Sequence, residues 1–190
     1  TLAQEFERCV RGELPDDWSK AMDDLLKETN TNAESMASRQ ASAKVIARIA
    51  SLLPELVGGS ADLSGSNNTN WPEVKVVDGS DSEGNYIYYG VREFGMTAIA
   101  NGMTLHGGIL PFTGTFLIFM EYARNAVRMS ALMGIRNIHV YTHDSIGQGE
   151  DGPTHQPVEQ MAALRAIPNL NMFRPADAVE TVECWQLAIE

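Results

Sequence analysis

The chain has 190 residues, 44% hydrophobic and 21% charged, an ordinary globular balance that excludes disorder, collagen-like repeats and a coiled coil. Its 25 Asp and Glu outnumber 14 Lys and Arg for a net charge of −11, and no window gathers basic residues, so a nucleic-acid partner is not expected. The longest apolar run, Phe116 to Met120, falls far short of the roughly 20 residues that cross a bilayer, so no membrane partner is expected either.

Residues 1–35 read as a linker arm with short helices. A first helix is predicted over Ala3–Arg11, broken by Gly12 and Pro15. Asp16 or Asp17 caps a second over Trp18–Glu28, and Thr29–Asn32 is predicted as loop. Cys9 and Cys184 lie near opposite ends without a CxxC pattern. They read as free thiols of a reducing cytoplasm, with one long-range disulfide left open. No basic-then-apolar leader opens the sequence, and a start at Thr1 reads as a piece of a longer protein.

From residue 36 to 190 the pattern alternates. A helix over Ser38–Leu53 stops at Pro54, and Leu56–Ser60 reads as a strand ending in glycines. Residues 64–85, rich in Ser, Asn, Gly and Asp, read as a long surface loop. Then come a strand at Tyr86–Tyr89, a helix at Glu93–Leu105, a strand at Ile109–Phe112, a helix at Phe116–Met133 and a strand at Asn137–Thr142. After a second long loop, 143–156, a helix is predicted from Pro157 to Ala166, a strand at Asn171–Phe173 and a last helix at Ala176–Ile189. Such alternation predicts a doubly wound, mostly parallel α/β sheet with helices on both faces.

Ligands of open α/β sheets lie beyond the carboxyl ends of the strands. Four loops end there: 58–70, 90–93, 113–116 and 142–156. Glu93 opens a helix where a strand ends. It reads either as an acidic first-turn residue stabilised by the helix dipole or as a carboxyl for proton chemistry. The loop from Thr142 to His155 holds two histidines and three carboxylates hung on glycines. It fits neither metal-ligand spacing nor the phosphate-loop and dinucleotide patterns, and a solvated acidic loop is the plain alternative. Phe112, Phe116, Phe119 and Tyr122 recur at helical spacing, a stripe that reads as core before it reads as a ligand platform. His106 and His139 read as structural.

Taken together, Ser60-Ala61-Asp62-Leu63-Ser64-Gly65-Ser66-Asn67, Gly90-Val91-Arg92-Glu93-Phe94-Gly95-Met96, and Tyr141 through Gly147 with Gly149 through Pro157 resemble transketolase. The resemblance covers about residues 36–190 and is to the pyrimidine-binding domain in the middle of that enzyme.

It implies thiamine diphosphate as cofactor, held at the subunit interface of a homodimer, and sugar phosphates as substrates. A two-carbon ketol unit passes from a ketose phosphate to an aldose phosphate. Glu93 matches the carboxylic acid that hydrogen-bonds N1′ of the aminopyrimidine. Phe119 matches the ring stacked on it, Phe116 and Tyr122 line the same pocket, and Asp62 lies near cofactor and interface. Arg39, Ser66 and His143 match positions that bind the substrate phosphate, and Asp151 and His155 match contacts to sugar hydroxyls and carbonyl.

The glycine–aspartate–glycine motif that holds magnesium or calcium has no counterpart here, so the metal is expected outside this chain, which alone is expected to be inert. The sister enzymes dihydroxyacetone synthase, deoxyxylulose phosphate synthase and the pyruvate dehydrogenase beta subunit share the fold, and a non-catalytic dimerisation module is the remaining alternative. A cytoplasmic protein is expected from the two cysteines read as free thiols.

Overall fold

Short apolar segments bounded by glycine or polar loops become the strands of one sheet: Leu56–Ser60 (β1), Tyr86–Tyr88 (β2), Leu110–Phe116 (β3) and Ile138–Thr142 (β4). The computed structural model describes residues 1–79 and 83–190. The strands lie in the order β2-β1-β3-β4, and every neighbouring pair is parallel, with Ser60 beside Gly114 and Phe116 beside Thr142. All seven residues of β3 are buried, as a central parallel strand covered on both faces requires. In β1, a Cβ on Gly58 would sit 2.5 Å from the Phe112 ring and one on Gly59 2.3 Å from the Tyr89 ring. The glycines let these aromatics lie across the strand.

Helices cover both faces. On one side Ser38–Ala50 (α3) and Ala178–Ile189 (α8) pack together, and Trp18–Asn32 (α2) packs on α8. Their Val45, Ile46, Ile49, Trp185 and Ile189 form the main core with Leu56, Tyr86 and Phe112 of the strands. Trp18 and Met22 of α2 belong to this same core, and Trp18 Nε1 donates to Glu190 at 3.1 Å. On the other side Glu93–His106 (α5) packs on Met120–Met133 (α6), with a second core around Leu117, Met120, Val127 and Leu164. Leu2–Arg11 (α1) carries Arg8, whose guanidinium grips Glu55 with two hydrogen bonds of 2.8 and 2.9 Å.

Several sequence expectations are corrected. Residues 29–32 are the last turn of α2, where Thr31 Oγ1 donates to the Lys27 carbonyl; the helix stops at Ala33, which takes a left-handed conformation (φ 44°). Asp17 holds the cap position of α2, but its side chain accepts no capping hydrogen bond. The α3 helix ends at Ala50, where the Leu52 amide closes a tighter i→i−3 turn on the Ile49 carbonyl. Within the predicted loop 64–85, Ser64–Asn67 forms a one-turn helix (α4) and Val76 bridges to Tyr86; residues 80–82 of that loop lie outside the described ones.

The β3 strand runs on through Phe116, so the helix predicted from there starts only after a 3₁₀ turn at Leu117–Phe119. The helix predicted from Pro157 is confined to Gln160–Arg165 (α7), because the Val158 amide is taken by Gln160 Oε1. The last helix starts at Ala178, where Asp177 accepts from the Glu180 amide. Among the described residues Asn171–Phe173 joins no ladder, and β4 is an edge of the sheet. Cys9 and Cys184 are free thiols, each raised above its ordinary value by burial.

Candidate functional site

The carboxyl ends of all four strands come to one rim, and the chain turns sharply there. Asp62, just past β1, and His143, just past β4, both hold left-handed backbone (φ 63° and 54°), a strained choice for residues other than glycine that recurs at functional sites.

Beyond β1 and β2 lies a groove of about 690 Å³, lined among others by Ala61, Asp62, Glu93, Phe119 and Tyr122. Glu93 is the first residue of α5, at the positive end of the helix dipole, and is only 7% exposed. Arg92 beside it donates to the Tyr89 carbonyl at 2.8 Å, and among the described residues the Glu93 carboxyl makes no hydrogen bond or ion pair. A carboxyl that no protein group engages, at the wall of an open groove, is the natural anchor for a ligand that brings a polar atom. Phe119 and Tyr122, 6.0 Å apart and tilted by 33°, offer aromatic faces beside it. Val91, Phe94 and Tyr122 are exposed around the rim. Asp62 lines the groove and is itself exposed.

A second group of residues stands beyond β3 and β4. Phe116 is buried and belongs here rather than to the groove. Its ring stacks on Phe119 (5.7 Å, 8°) and on His143 (3.8 Å, 28°), so it props Phe119 from behind. His155 meets Phe119 edge-on at 5.2 Å. The Gln148 side-chain amide donates to the backbone carbonyl of His143 at 3.2 Å and to that of His155, tying the two ends of the 143–156 loop together.

Arg39 of α3 reaches across to His143, Nη1 to Nε2, at 3.2 Å. The guanidinium can only donate, so Nε2 must accept and the ring is neutral with its proton on Nδ1. That proton faces Thr142 Oγ1 at 2.8 Å. Burial first, then the Arg39 cation, holds the His143 imidazole below its ordinary value, while Asp151 and Asp144 pull it upward.

Thr142 Oγ1 also accepts from Asn67 Nδ2 at 2.6 Å, and Asn67 Oδ1 accepts from Ser60 Oγ at 3.2 Å. Ser60, Asn67 and Thr142 are all buried. The sequence did not single them out. The available signal was small polar residues at or just past strand ends, next to residues that were singled out, Ser66 and His143.

The structure thus brings Arg39, His143, His155, Phe116, Phe119 and Tyr122 into one continuous cluster, with Glu93 and Asp62 sharing the groove at its end. Ser66 and Asp151 are exposed beside it, and among the described residues neither side chain makes a hydrogen bond. Two other cavities, about 450 and 270 Å³, flank β4; of the sequence-predicted site residues only Arg39 touches either. One group of potential metal ligands gathers elsewhere among the described residues, Glu5, Cys9 and Glu55, but Arg8 already ion-pairs with both carboxylates.

Comparison with known proteins gives these residues a context. Residues 34–190 match the family described as transketolase, pyrimidine binding domain. The whole chain is 58% identical to Transketolase 2 of Vibrio parahaemolyticus and covers 28% of that protein. Among solved structures, transketolase from Leishmania mexicana superposes with a TM-score of 0.87 at 46% identity, over 98% of this chain and 27% of that one. The transketolase of Pichia stipitis in complex with sedoheptulose 7-phosphate gives 0.90 at 42% identity, over 99% of this chain and 28% of its own. The chain therefore spans little more than a quarter of the relatives it matches.

Proposed function

The chain belongs to the transketolase family, and on that premise we propose that it forms the pyrimidine-binding middle portion of a thiamine diphosphate-dependent ketol transferase. The donor is a ketose phosphate, xylulose 5-phosphate, and the acceptor an aldose phosphate, ribose 5-phosphate or erythrose 4-phosphate, the chemistry of the pentose phosphate pathway. The observation that carries this reading is Glu93, a largely buried residue whose carboxyl has no partner among the described residues, on a groove walled by Phe119 and Tyr122. These residues fit an aminopyrimidine: an aromatic face for the ring, a carboxyl for a ring nitrogen.

When bound, thiamine diphosphate supplies a nucleophilic carbon that accepts and passes on the ketol unit. Glu93 holds a proton at the N1′ position, and such general acid–base help is typically worth about 10²–10⁴-fold in rate. Phe119 and Tyr122 hold the ring plane, Phe116 fixes Phe119, and Asp62 stands at the groove wall. Arg39, with Ser66 and His143, takes the substrate phosphate, for which a guanidinium is suited by its paired donors. Asp151 and His155 take hydroxyls and the carbonyl of the sugar.

The exposed apolar rim of Val91, Phe94 and Tyr122 supports a site closed by a second copy, hence a homodimer with the cofactor between subunits. Magnesium or calcium, with the diphosphate, falls to portions of the protein outside this chain. A cytoplasmic location is part of the same proposal, supported by the free thiols Cys9 and Cys184.

The test is ketol transfer by the full-length protein with thiamine diphosphate, magnesium, xylulose 5-phosphate and ribose 5-phosphate, beside Glu93→Gln. Activity in the parent and a loss of about 10²–10⁴-fold in the variant is the expected result. A variant with full activity refutes the role of Glu93. A parent that binds the cofactor but does not use ribose 5-phosphate points to a sister enzyme with another acceptor. The isolated 190-residue chain is expected to show no transfer.

A further inference from the structure

The cluster around His143 is supported from beneath by a hydrogen-bonded chain that runs through the protein interior. Ser60 at the end of β1 accepts the Leu63 amide at 3.2 Å, so its hydroxyl proton is free to go to Asn67 Oδ1 at 3.2 Å. Asn67 at the end of α4, 0% exposed, then presents its amide to Thr142 Oγ1 at 2.6 Å. Thr142 closes β4 and meets His143 Nδ1 at 2.8 Å. Three secondary-structure elements thus converge on one imidazole nitrogen, while the other faces Arg39 of a fourth.

Proton bookkeeping gives the chain a direction. Arg39 donates to Nε2, so the single proton of the neutral ring sits on Nδ1 and needs an acceptor. Thr142 Oγ1 is that acceptor. A threonine hydroxyl could equally turn its own proton toward Nδ1 and favour the opposite tautomer. With the Asn67 amide and the Nδ1–H both directed at it, the oxygen offers its two lone pairs to two donors, and its proton must point elsewhere.

We propose that Asn67, acting through Thr142, is a positioning residue for His143: it locks the imidazole in the Nδ1–H form with the Nε2 lone pair turned to Arg39. The inference rests on the assignment of Arg39 and His143 to an anion-binding site. The device also explains why His143 tolerates a left-handed backbone, since Thr142, Arg39 and the Phe116 face together fix the ring. The charged or titratable groups facing His143 are Arg39 from α3 and Asp144, Asp151 and His155 from its own loop; none of them replaces the Thr142 contact at Nδ1.

The test uses the full-length protein carrying ¹⁵N-labelled histidine, the His143 signals assigned with His143→Gln. Thr142→Val removes the hydroxyl at constant shape, Thr142→Ser keeps it, and Asn67→Leu removes the donor behind it. The parent and Thr142→Ser should show Nδ1 protonated and Nε2 bare. Thr142→Val and Asn67→Leu should show mixed tautomers. In Thr142→Val the titration midpoint should also move lower, because an acceptor that favours the imidazolium is gone. Inorganic phosphate should bind these two variants roughly 2- to 10-fold more weakly.

A Thr142→Val protein with the parent's tautomer and midpoint overturns the proposal, as does an Asn67→Leu protein with the parent's tautomer or a Thr142→Ser protein as disturbed as Thr142→Val. If phosphate fails to bind the parent while the tautomers follow the expected pattern, the positioning role stands and the anion-site assignment falls.

Discussion

His139 is the second residue of β4, with Nδ1 on Thr113 Oγ1 at 3.0 Å and its ring stacked on Tyr141 at 5.9 Å. The residue is only half-buried, yet its Nε2 is closed off from solvent and has no partner among the described residues. Burial pushes the imidazole down from 6.5 to about 4. Between those values the unfolded chain holds a proton that the folded chain refuses, so stability must rise with pH across the interval. The interval spans about 2.5 pH units at about 1.4 kcal/mol each, which integrates to about 3–4 kcal/mol. That contribution is complete above pH 6.5 and is lost as pH falls toward 4. It is large against the 5–15 kcal/mol typical of a domain. Urea unfolding of the chain and of His139→Leu, each from pH 4.5 to 7.5, isolates it. Losing the bond to Thr113 lowers the variant at every pH, whereas the proton affects only the slope. The parent should gain about 2–3 kcal/mol more than the variant over this range, most of the full integral. Parallel profiles would refute the assignment of a buried neutral His139.

Met22 of α2 is fully buried in the main core, and Met22→Ala should cost about 2–5 kcal/mol in the same urea assay; a loss near zero would mean that α2 does not share that core. Gly59→Ala places a methyl 2.3 Å from the Tyr89 ring, so a destabilisation of about 1–3 kcal/mol is expected, and an unchanged midpoint would show that Tyr89 can move aside freely.

Much of the sheet was readable because each strand is a short apolar run closed by glycines or by polar residues that cannot continue it. Leu56–Ser60 and the strand ending at Thr142 match their predicted extents within a residue. The failures have a common cause, which is that a strand is made by its partner. Leu110–Phe116 continues four residues past its predicted end because β1 and β4 flank it on both sides. Asn171–Phe173 has suitable residues but joins no ladder.

The aromatic stripe fails in the same way. Phe112 and Phe116 share a helical spacing with Phe119 and Tyr122 but lie on a strand, so Phe112 faces the core and Phe116 faces His143, leaving only the last two on the groove. Glu93 was legible as a carboxyl where a strand gives way to a helix. Asn67 was not, since its contact with Thr142 joins residues 75 positions apart and nothing local marks it.

The same geometry bears on how so acidic a chain would hold the phosphate proposed for it. With a net charge of −11, the long-range field opposes any phosphate, so attraction has to come from a local excess of positive charge. Asp144, at the start of the 143–156 loop, is matched by Arg174 at 2.6 Å, which removes one repulsive charge from the rim. Arg39 makes no ion pair among the described residues, and its direct contact with His143 is to a neutral ring nitrogen. A neutral imidazole adds no charge of its own, but it orients the guanidinium without neutralising it, as a carboxylate at the same place would. Arg39 therefore stands at the rim as a guanidinium that is positioned yet not compensated, and the buried residues behind His143 are what hold it there.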